Sequence, residues 1–158
     1  MFMRPTNIQS TEKIYLDANF LIAYFIPNHI DYAGSRKLFF EFISNQNELF
    51  LSNLGIDELL YKIFRASESK NKTTGFSKYA SKFETILKEF KKNPDNFKFI
   101  EFKKAIVGAD NAVANIKNYD LAPRDAFHLA YMQEVGISSI ATKDKNFGNI
   151  PGIKVFSY

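Results

Sequence analysis

The sequence lacks the residues that several common kinds of functional site require. It contains no cysteine, which excludes disulfide bonds and thiolate metal sites. It has only two histidines, His29 and His128, so we do not expect a zinc site built from histidine. Any metal chemistry must therefore use oxygen ligands, and such ligands favour Mg²⁺ or Mn²⁺.

Long apolar runs are also missing from the chain. No stretch approaches the ~18 consecutive apolar residues that a membrane-spanning helix needs. The N-terminal residues contain neither a long apolar run nor a small-residue cleavage site, so they do not resemble a signal peptide. We therefore expect a cytoplasmic protein without a membrane partner.

The residues that are present suit a single folded domain. The chain has 158 residues, is 46% hydrophobic and contains 17 phenylalanines, which is enough apolar material for a core. Its formal net charge of +4 is a weak indication of a polyanionic partner. We predict a polar N-terminal tail over residues 1–12 and one domain over residues 13–158.

Short apolar segments alternate with helical patterns along the chain. This alternation predicts an α/β fold in which helices flank a central parallel sheet of about five strands. The two helices around the polar segment 66–75 form a predicted hairpin, Leu54–Lys92, with an apolar face that can contact a partner. The predicted strands are 13–17, 48–52, 97–102, 137–142 and 153–156.

Three aspartates lie where predicted strands end or helices begin. Asp17 follows the first strand, Asp144 follows the fourth, and Asp125 opens the helix that starts at Pro123. Each position also suits a carboxylate that caps a helix. However, the carboxyl edge of a parallel sheet is where ligands bind, and acids gathered there repel each other unless a cation neutralises them. Their joint placement therefore indicates a metal site.

The helix after the second strand offers two neighbouring acids, Asp57 and Glu58. Its apolar residues recur at ~100° per residue and so form one face, namely Ile56, Leu59, Leu60, Ile63 and Phe64. Asp57 falls near that face and Glu58 falls nearly opposite it. Periodicity alone therefore favours Asp57 as the inward-facing acid.

Four segments that carry these acids resemble the motifs of PIN-domain nucleases, most closely the VapC-like toxins of toxin–antitoxin pairs. The resemblance spans Lys13 to Tyr158 and rests on the order of the motifs and a closing Gly-Ile-Lys-Val strand. The four segments are YLDANFLI at 15–22, IDELL at 56–60, PRDAFHLA at 123–130 and ATKDKNF at 141–147.

The resemblance implies a PIN-like three-layer sandwich and a catalytic cluster of acids. It places the ligand of the second motif at Glu58 rather than Asp57. Asn19 and Thr142 are expected to support the site through hydrogen bonds. The residues that the resemblance assigns to catalysis and metal binding are Asp17, Glu58, Asp125 and Asp144.

The implied activity is that of an Mg²⁺- or Mn²⁺-dependent endoribonuclease that hydrolyses RNA phosphodiester bonds. The expected partners are RNA, a second copy in a homodimer, and an antitoxin. The alternative is a PIN-fold RNA-processing or RNA-binding protein outside toxin–antitoxin systems. Whether His128 or Arg124 touches the site stays open, and the default for His128 is a packed helix residue. Asn146 stands where many relatives have a further acid, so one or two metal ions are possible.

Two other folds gather acids at the edge of a parallel sheet. A receiver domain needs adjacent acids after its first strand and an aspartate at the end of its third. Here the third predicted strand ends in Phe99, Ile100 and Glu101, which fits poorly. A haloacid-dehalogenase-like phosphatase needs Asp-x-Asp after the first strand, and the second of those positions is Asn19.

Overall fold

A parallel sheet of five strands forms the centre of the molecule. The computed structural model describes residues 11–68 and 76–158, so most of the predicted tail and residues 69–75 lie outside it. The strand order is β3-β2-β1-β4-β5 and every neighbouring pair is parallel, which confirms the predicted α/β fold. The strands are β1 Lys13–Leu16, β2 Glu48–Ser52, β3 Phe97–Ile100, β4 Ser139–Ala141 and β5 Lys154–Phe156.

Six α-helices lie in the described part of the chain, and local signals fix several of their ends. Pro123 begins its helix at a position where a missing N–H costs nothing. Gly136, with φ +67°, follows the end of the same helix. Gly108 is buried inside a helix, where an added Cβ would lie 2.5 Å from the Phe102 ring. The helices are α1 Ala18–Phe25, α2 Tyr32–Ser44, α3 Asn53–Glu68, α4 Ala80–Lys92, α5 Ala105–Tyr119 and α6 Pro123–Glu134.

The central strand β1 divides the core into two layers. Because side chains alternate along a strand, Ile14 and Leu16 face one side of the sheet and Tyr15 faces the other. The Ile14 side carries the buried residues of α1 to α4, and the Tyr15 side carries those of α5 and α6. The result is a helix–sheet–helix sandwich of three layers.

Helix α4 belongs to the predicted hairpin Leu54–Lys92, yet it packs on the sheet. Its apolar residues Ile86 and Phe90 are buried in the same cluster as Phe97 of β3, and the Phe90 and Phe97 rings meet edge to face at 5.0 Å. The side that the sequence offered to a partner is therefore largely occupied by the core of the protein itself.

The direction in which the chain crosses the sheet reverses between β1 and β4. The chain runs from β1 to β2 and β3 on one side, and returns to β4 and β5 on the other. In open parallel sheets the crevice at such a switch point is the usual ligand site. Asp17 directly follows β1 and Thr142 directly follows β4, so both lie at this crevice.

The opposite end of β1 is joined to the neighbouring strands by Glu12. The Ser139 hydroxyl donates to the Glu12 carboxylate at 2.5 Å, and the Lys154 ammonium lies 3.0 Å from both of its oxygens. Glu12, at the end of the predicted tail, is thus held against β4 and β5. None of the described helices is long and apolar enough to cross a lipid bilayer.

Candidate metal centre

Asp17 occupies the N-cap position of α1 but does not cap that helix. No hydrogen bond joins its carboxylate to the described N–H groups of the first turn. Instead, its Oδ2 accepts a bond from the Thr142 hydroxyl at 2.7 Å and one from the Asn19 amide at 3.1 Å. Both of these bonds go to Oδ2. The other oxygen, Oδ1, has no hydrogen-bond partner among the described residues and is available to a ligand. The ordinary capping explanation therefore fails for this buried carboxylate.

Glu58 of α3 is buried, with 6% of its surface exposed, whereas Asp57 is exposed. The prediction from periodicity, that Asp57 is the inward-facing acid, was therefore wrong, and Glu58, the acid of the motif, is the buried one of the two. The helix packs with Leu59 and Ile63 in the core, while its flank turns toward α6 on the other side of the sheet edge. There, Glu58 Oε2 lies 2.8 Å from His128 Nε2, and Oε1 lies 3.5 Å from an Arg124 nitrogen.

Asp125 and Asp144 complete the acidic side of the crevice. Asp125 lies in the first turn of α6 and is half-buried. Asp144 lies just after β4, where its Oδ1 accepts the Asn146 N–H at 2.8 Å and so caps a short 3₁₀ helix, Lys145–Asn149. The capping explanation therefore holds for one oxygen of Asp144, and the other oxygen has no hydrogen-bond partner among the described residues.

The pKa values of two acidic side chains in the crevice shift in opposite directions. Burial raises the pKa of Asp125 above its usual range, and the negative charges of Asp144, Asp17 and Glu58 raise it further. Burial acts on Glu58 in the same direction, but the His128 hydrogen bond and nearby positive charges outweigh it and lower the pKa. Asp125 is therefore the acid whose pKa the neighbouring carboxylates raise.

A buried row of polar side chains lies behind Glu58. The Tyr15 hydroxyl lies 2.6 Å from His128 Nδ1 and 2.6 Å from Ser52 Oγ. The Gly55 N–H donates to the same Ser52 oxygen at 3.1 Å, so Ser52 caps α3. Tyr15 is fully buried, and its hydroxyl satisfies the requirement that a buried polar atom find a partner.

Two cationic side chains border the acids. The Lys62 ammonium, one turn beyond Glu58 on α3, donates to the Asn19 amide oxygen. Arg124 contacts Glu58 but keeps 60% of its side chain exposed. Lys62 is thus linked to Asp17 through Asn19, and Arg124 contacts Glu58 directly.

The donor set fits a hard divalent cation. Asp17, Glu58 and His128 place potential ligand atoms within 4.8 Å of one another. The acids supply carboxylate oxygens, which suit Mg²⁺ or Mn²⁺, and the chain has no thiolate to favour a softer ion. Mutual repulsion at Asp125 gives the site a physical reason to bind positive charge.

The family model of the PIN domain matches residues 14–153. The chain belongs to the PIN domain family. This confirms the family that the motifs predicted. A comparison with curated protein sequences gave no match.

Several solved structures share the fold of this PIN domain at low sequence identity. VapBC2 from Rickettsia felis, bound to a promoter DNA fragment, is 15% identical with a TM-score of 0.59, covering 92% of this chain and 98% of that chain. VapC20 from Mycobacterium tuberculosis, a sarcin–ricin loop cleaving toxin, is 16% identical with a TM-score of 0.56, covering 85% and 92%. VapBC from Salmonella typhimurium bound to DNA is 16% identical with a TM-score of 0.57, covering 93% and 98%.

Of the four predicted acids, Asp17 and Glu58 place ligand atoms within 4.8 Å of each other, whereas Asp125 and Asp144 are not part of that close group. Asp125 still lies near enough for Asp144, Asp17 and Glu58 to raise its pKa.

The structure also adds residues that the motifs did not assign. His128 was expected to be a packed helix residue; it is packed, but it also contacts Glu58. Tyr15 and Lys62 were not singled out at all. A tyrosine in the middle of a buried central strand was the available signal for Tyr15, because its hydroxyl needs a buried polar partner.

Proposed function

We propose that this PIN domain is an Mg²⁺- or Mn²⁺-dependent endoribonuclease and acts as the toxin of a toxin–antitoxin pair. The observation that supports the proposal is the closeness of Asp17 and Glu58, whose ligand atoms lie within 4.8 Å of each other, with Asp125 near enough for the other acids to raise its pKa. Their repulsion, expressed in the raised pKa of Asp125, favours a bound cation. Membership of the PIN family supports hydrolysis of phosphodiester bonds as the reaction.

The residues have separate roles in the proposed reaction. Asp17, Glu58 and Asp125 would hold the ion, and Asp144 would orient the attacking water by accepting its hydrogen bond. A bound divalent ion supplies positive charge that offsets the charge developing on the phosphate, and it makes a water easier to deprotonate. No serine or cysteine nucleophile is required.

Hydrogen bonds within the chain prepare the acids for these roles. Thr142 and Asn19 fix Oδ2 of Asp17, which limits rotation of the carboxylate before a ligand arrives. Arg124 and Lys62 would bind the phosphates of the RNA, because both lie at the border of the crevice and carry positive charge.

The proposed partners follow from the neighbouring structures. Several of these are VapBC complexes, which contain an antitoxin together with the toxin. We therefore propose a cognate antitoxin for this chain, and a homodimer as its own assembly. The expected site of action is the cytoplasm, where RNA and an antitoxin would both be present.

The test is cleavage of RNA by the purified protein with and without divalent ions. We expect cleavage in Mg²⁺ or Mn²⁺ and none in EDTA, with the Asp17→Asn variant inactive under both conditions. The variant is the essential control, because it exposes a contaminating nuclease from the same purification. Equal cleavage in EDTA, or by Asp17→Asn, would rule out the proposed mechanism.

A further inference from the structure

We propose that Tyr15 and His128 form a buried hydrogen-bonded chain that positions Glu58, with His128 acting as a positioning residue rather than a metal ligand. The inference rests on the proposed function only for its effect on metal affinity. The chain itself consists of Ser52, Tyr15 and His128, all buried, and it ends on the Glu58 carboxylate.

The hydrogen atoms can be assigned so that every polar atom of the chain is satisfied. Glu58 as a carboxylate only accepts, so His128 Nε2 must carry the hydrogen at their 2.8 Å contact. His128 Nδ1 then accepts from the Tyr15 hydroxyl, and the Tyr15 oxygen accepts from Ser52. The Gly55 N–H donates to Ser52 and completes the sequence.

The opposite direction satisfies fewer groups. If His128 donated to Tyr15, then Tyr15 would donate to Ser52, whose oxygen already accepts from Gly55. The Ser52 hydroxyl hydrogen would then have no acceptor among the described residues. A buried hydroxyl without an acceptor is costly, so the first direction is favoured.

The hydrogen-bonded chain starts and ends on the same helix, α3. It begins at the Gly55 N–H in the first turn of α3, passes through Ser52 on β2, Tyr15 on β1 and His128 on α6, and returns to Glu58 one turn later. A shift of α3 along or about its axis would break contacts at both ends. The closed path therefore fixes where the Glu58 carboxylate stands relative to Asp17, which follows the same β1 strand.

Both ring nitrogens of His128 are already engaged by this path. Nδ1 has Tyr15 at 2.6 Å, and Nε2 has Glu58 at 2.8 Å. To bind an ion directly, Nε2 would have to release Glu58 and leave that buried carboxylate with Arg124 at 3.5 Å. Holding a ligating carboxylate from behind is a recognised way to raise metal affinity.

Two substitutions separate the two ring nitrogens. In His128→Gln, the side-chain amide reaches the position of Nε2 and can still donate to Glu58. In His128→Asn, the amide reaches only the position of Nδ1, so it can meet Tyr15 but not Glu58. Tyr15→Phe removes the hydroxyl and keeps the ring, and Tyr24→Phe is the matched control on the other face of the sheet.

The measurement is Mn²⁺ binding by isothermal titration calorimetry, with melting temperatures recorded in EDTA. We expect His128→Asn to weaken binding by about tenfold or more. His128→Gln should keep most of the wild-type Mn²⁺ affinity. Tyr15→Phe should bind Mn²⁺ more weakly than the wild type but more tightly than His128→Asn, and Tyr24→Phe should bind as the wild type does. Equal losses in both His128 variants would overturn the proposal, since a ligand or a purely structural residue would give that result.

A metal-free measurement separates this proposal from the proposed function. The ¹⁵N signals of His128 in EDTA should show a hydrogen on Nε2 and a hydrogen-bonded, unprotonated Nδ1, and Tyr15→Phe should shift the Nδ1 signal. His29, the other histidine, serves as the internal reference. If the wild type bound no Mn²⁺, the proposed metal mechanism would be wrong, but these signals would still show whether the hydrogen-bonded chain exists. A hydrogen on Nδ1 instead would overturn it.

Discussion

Glu58 and Asp125 enter the same crevice from helices on opposite faces of the sheet, yet the pKa of Glu58 is lowered and the pKa of Asp125 is raised. Burial raises the pKa of both groups. At Glu58 this effect is outweighed by the hydrogen bond from His128, with the positive charges of Lys62 and Arg124 adding to it. At Asp125 the negative charges of the neighbouring acids, that of Asp144 first, add to the effect of burial.

The protein's own donors thus stabilise the charge of Glu58, whereas the charge of Asp125 is destabilised by burial and by neighbouring acids. Glu58 is satisfied as an anion by the protein's own donors. Asp125 faces three further acids, so it gains most from an added cation. The two sides should therefore respond differently to mutation, to pH and to metal.

The largest effect is expected at Asp125. We expect Asp125→Asn to reduce RNA cleavage by on the order of 100-fold, comparable to the loss of one preorganised charge-stabilising group. In EDTA, the same variant should melt at a higher temperature than the wild type, because it relieves the repulsion among the acids. Asp110→Asn, an exposed acid on α5, is the control. A lower melting temperature for Asp125→Asn would show that the strain is absent.

The next effect separates Glu58 from Asp57. We expect Glu58→Gln to reduce cleavage by about tenfold or more, and to lower the free energy of unfolding by ~1 kcal/mol through the loss of a charge-assisted hydrogen bond. Asp57→Asn should keep its activity and change stability by less than ~0.5 kcal/mol, since the side chain is exposed. Cleavage assays and chemical denaturation of both variants check this. Loss of activity in Asp57→Asn alone would reassign the site.

The pH dependence of stability in EDTA should differ in sign between the two acids. Because the folded pKa of Asp125 is raised above 3.8, its ionisation costs stability as pH rises through that pKa. Asp125→Asn should therefore gain on the wild type above that pKa and lose the advantage below it. Because the folded pKa of Glu58 is lowered from 4.5, its contribution is present above 4.5 and disappears as pH falls through the folded pKa.

Denaturation of the wild type and both variants between neutral and acidic pH measures these curves. The stability differences should have opposite signs at neutral pH and should both shrink toward acid. Parallel curves would mean that the two carboxyl groups share one environment, contrary to their different hydrogen bonding.

The smallest effect is expected at Arg124. Its contact with Glu58 is exposed, so Arg124→Gln should change stability by less than ~0.5 kcal/mol. RNA binding should weaken by about threefold, with a shallower dependence on salt, because one phosphate contact is lost. Filter binding at several salt concentrations measures both quantities, and Lys37→Gln on α2 is the control. An unchanged dependence of RNA affinity on salt concentration would show that Arg124 does not contact an RNA phosphate.

The sequence predicted the elements well because their signals are local. Pro123 and Gly136 mark the ends of α6, and alternating strands and helices indicate a parallel sheet. It also placed Asp17, Asp125 and Asp144 at one edge, because the edge follows from the topology alone. Gly108 is unfavourable inside a helix by propensity, but an added Cβ there would lie 2.5 Å from the Phe102 ring.

The remaining features depend on contacts that no local pattern contains. The apolar face of α3 indicates which residues reach the core, but not that Glu58 reaches across the sheet edge to His128. Tyr15 and His128 are 113 residues apart, and their contact depends on how α6 packs on β1. Lys62 meets Asn19 for the same reason, since α1 and α3 pack together.

The pairing of β1 with β4 also sets the moment at which the crevice can exist during synthesis. Asp17 leaves the ribosome before Thr142, its hydrogen-bond partner, which follows 125 residues later. A chain that emerges at ~5–20 residues per second therefore remains without its full acid cluster for at least several seconds. The acid cluster can therefore assemble only after the segment that carries Thr142 and Asp144 has been synthesised.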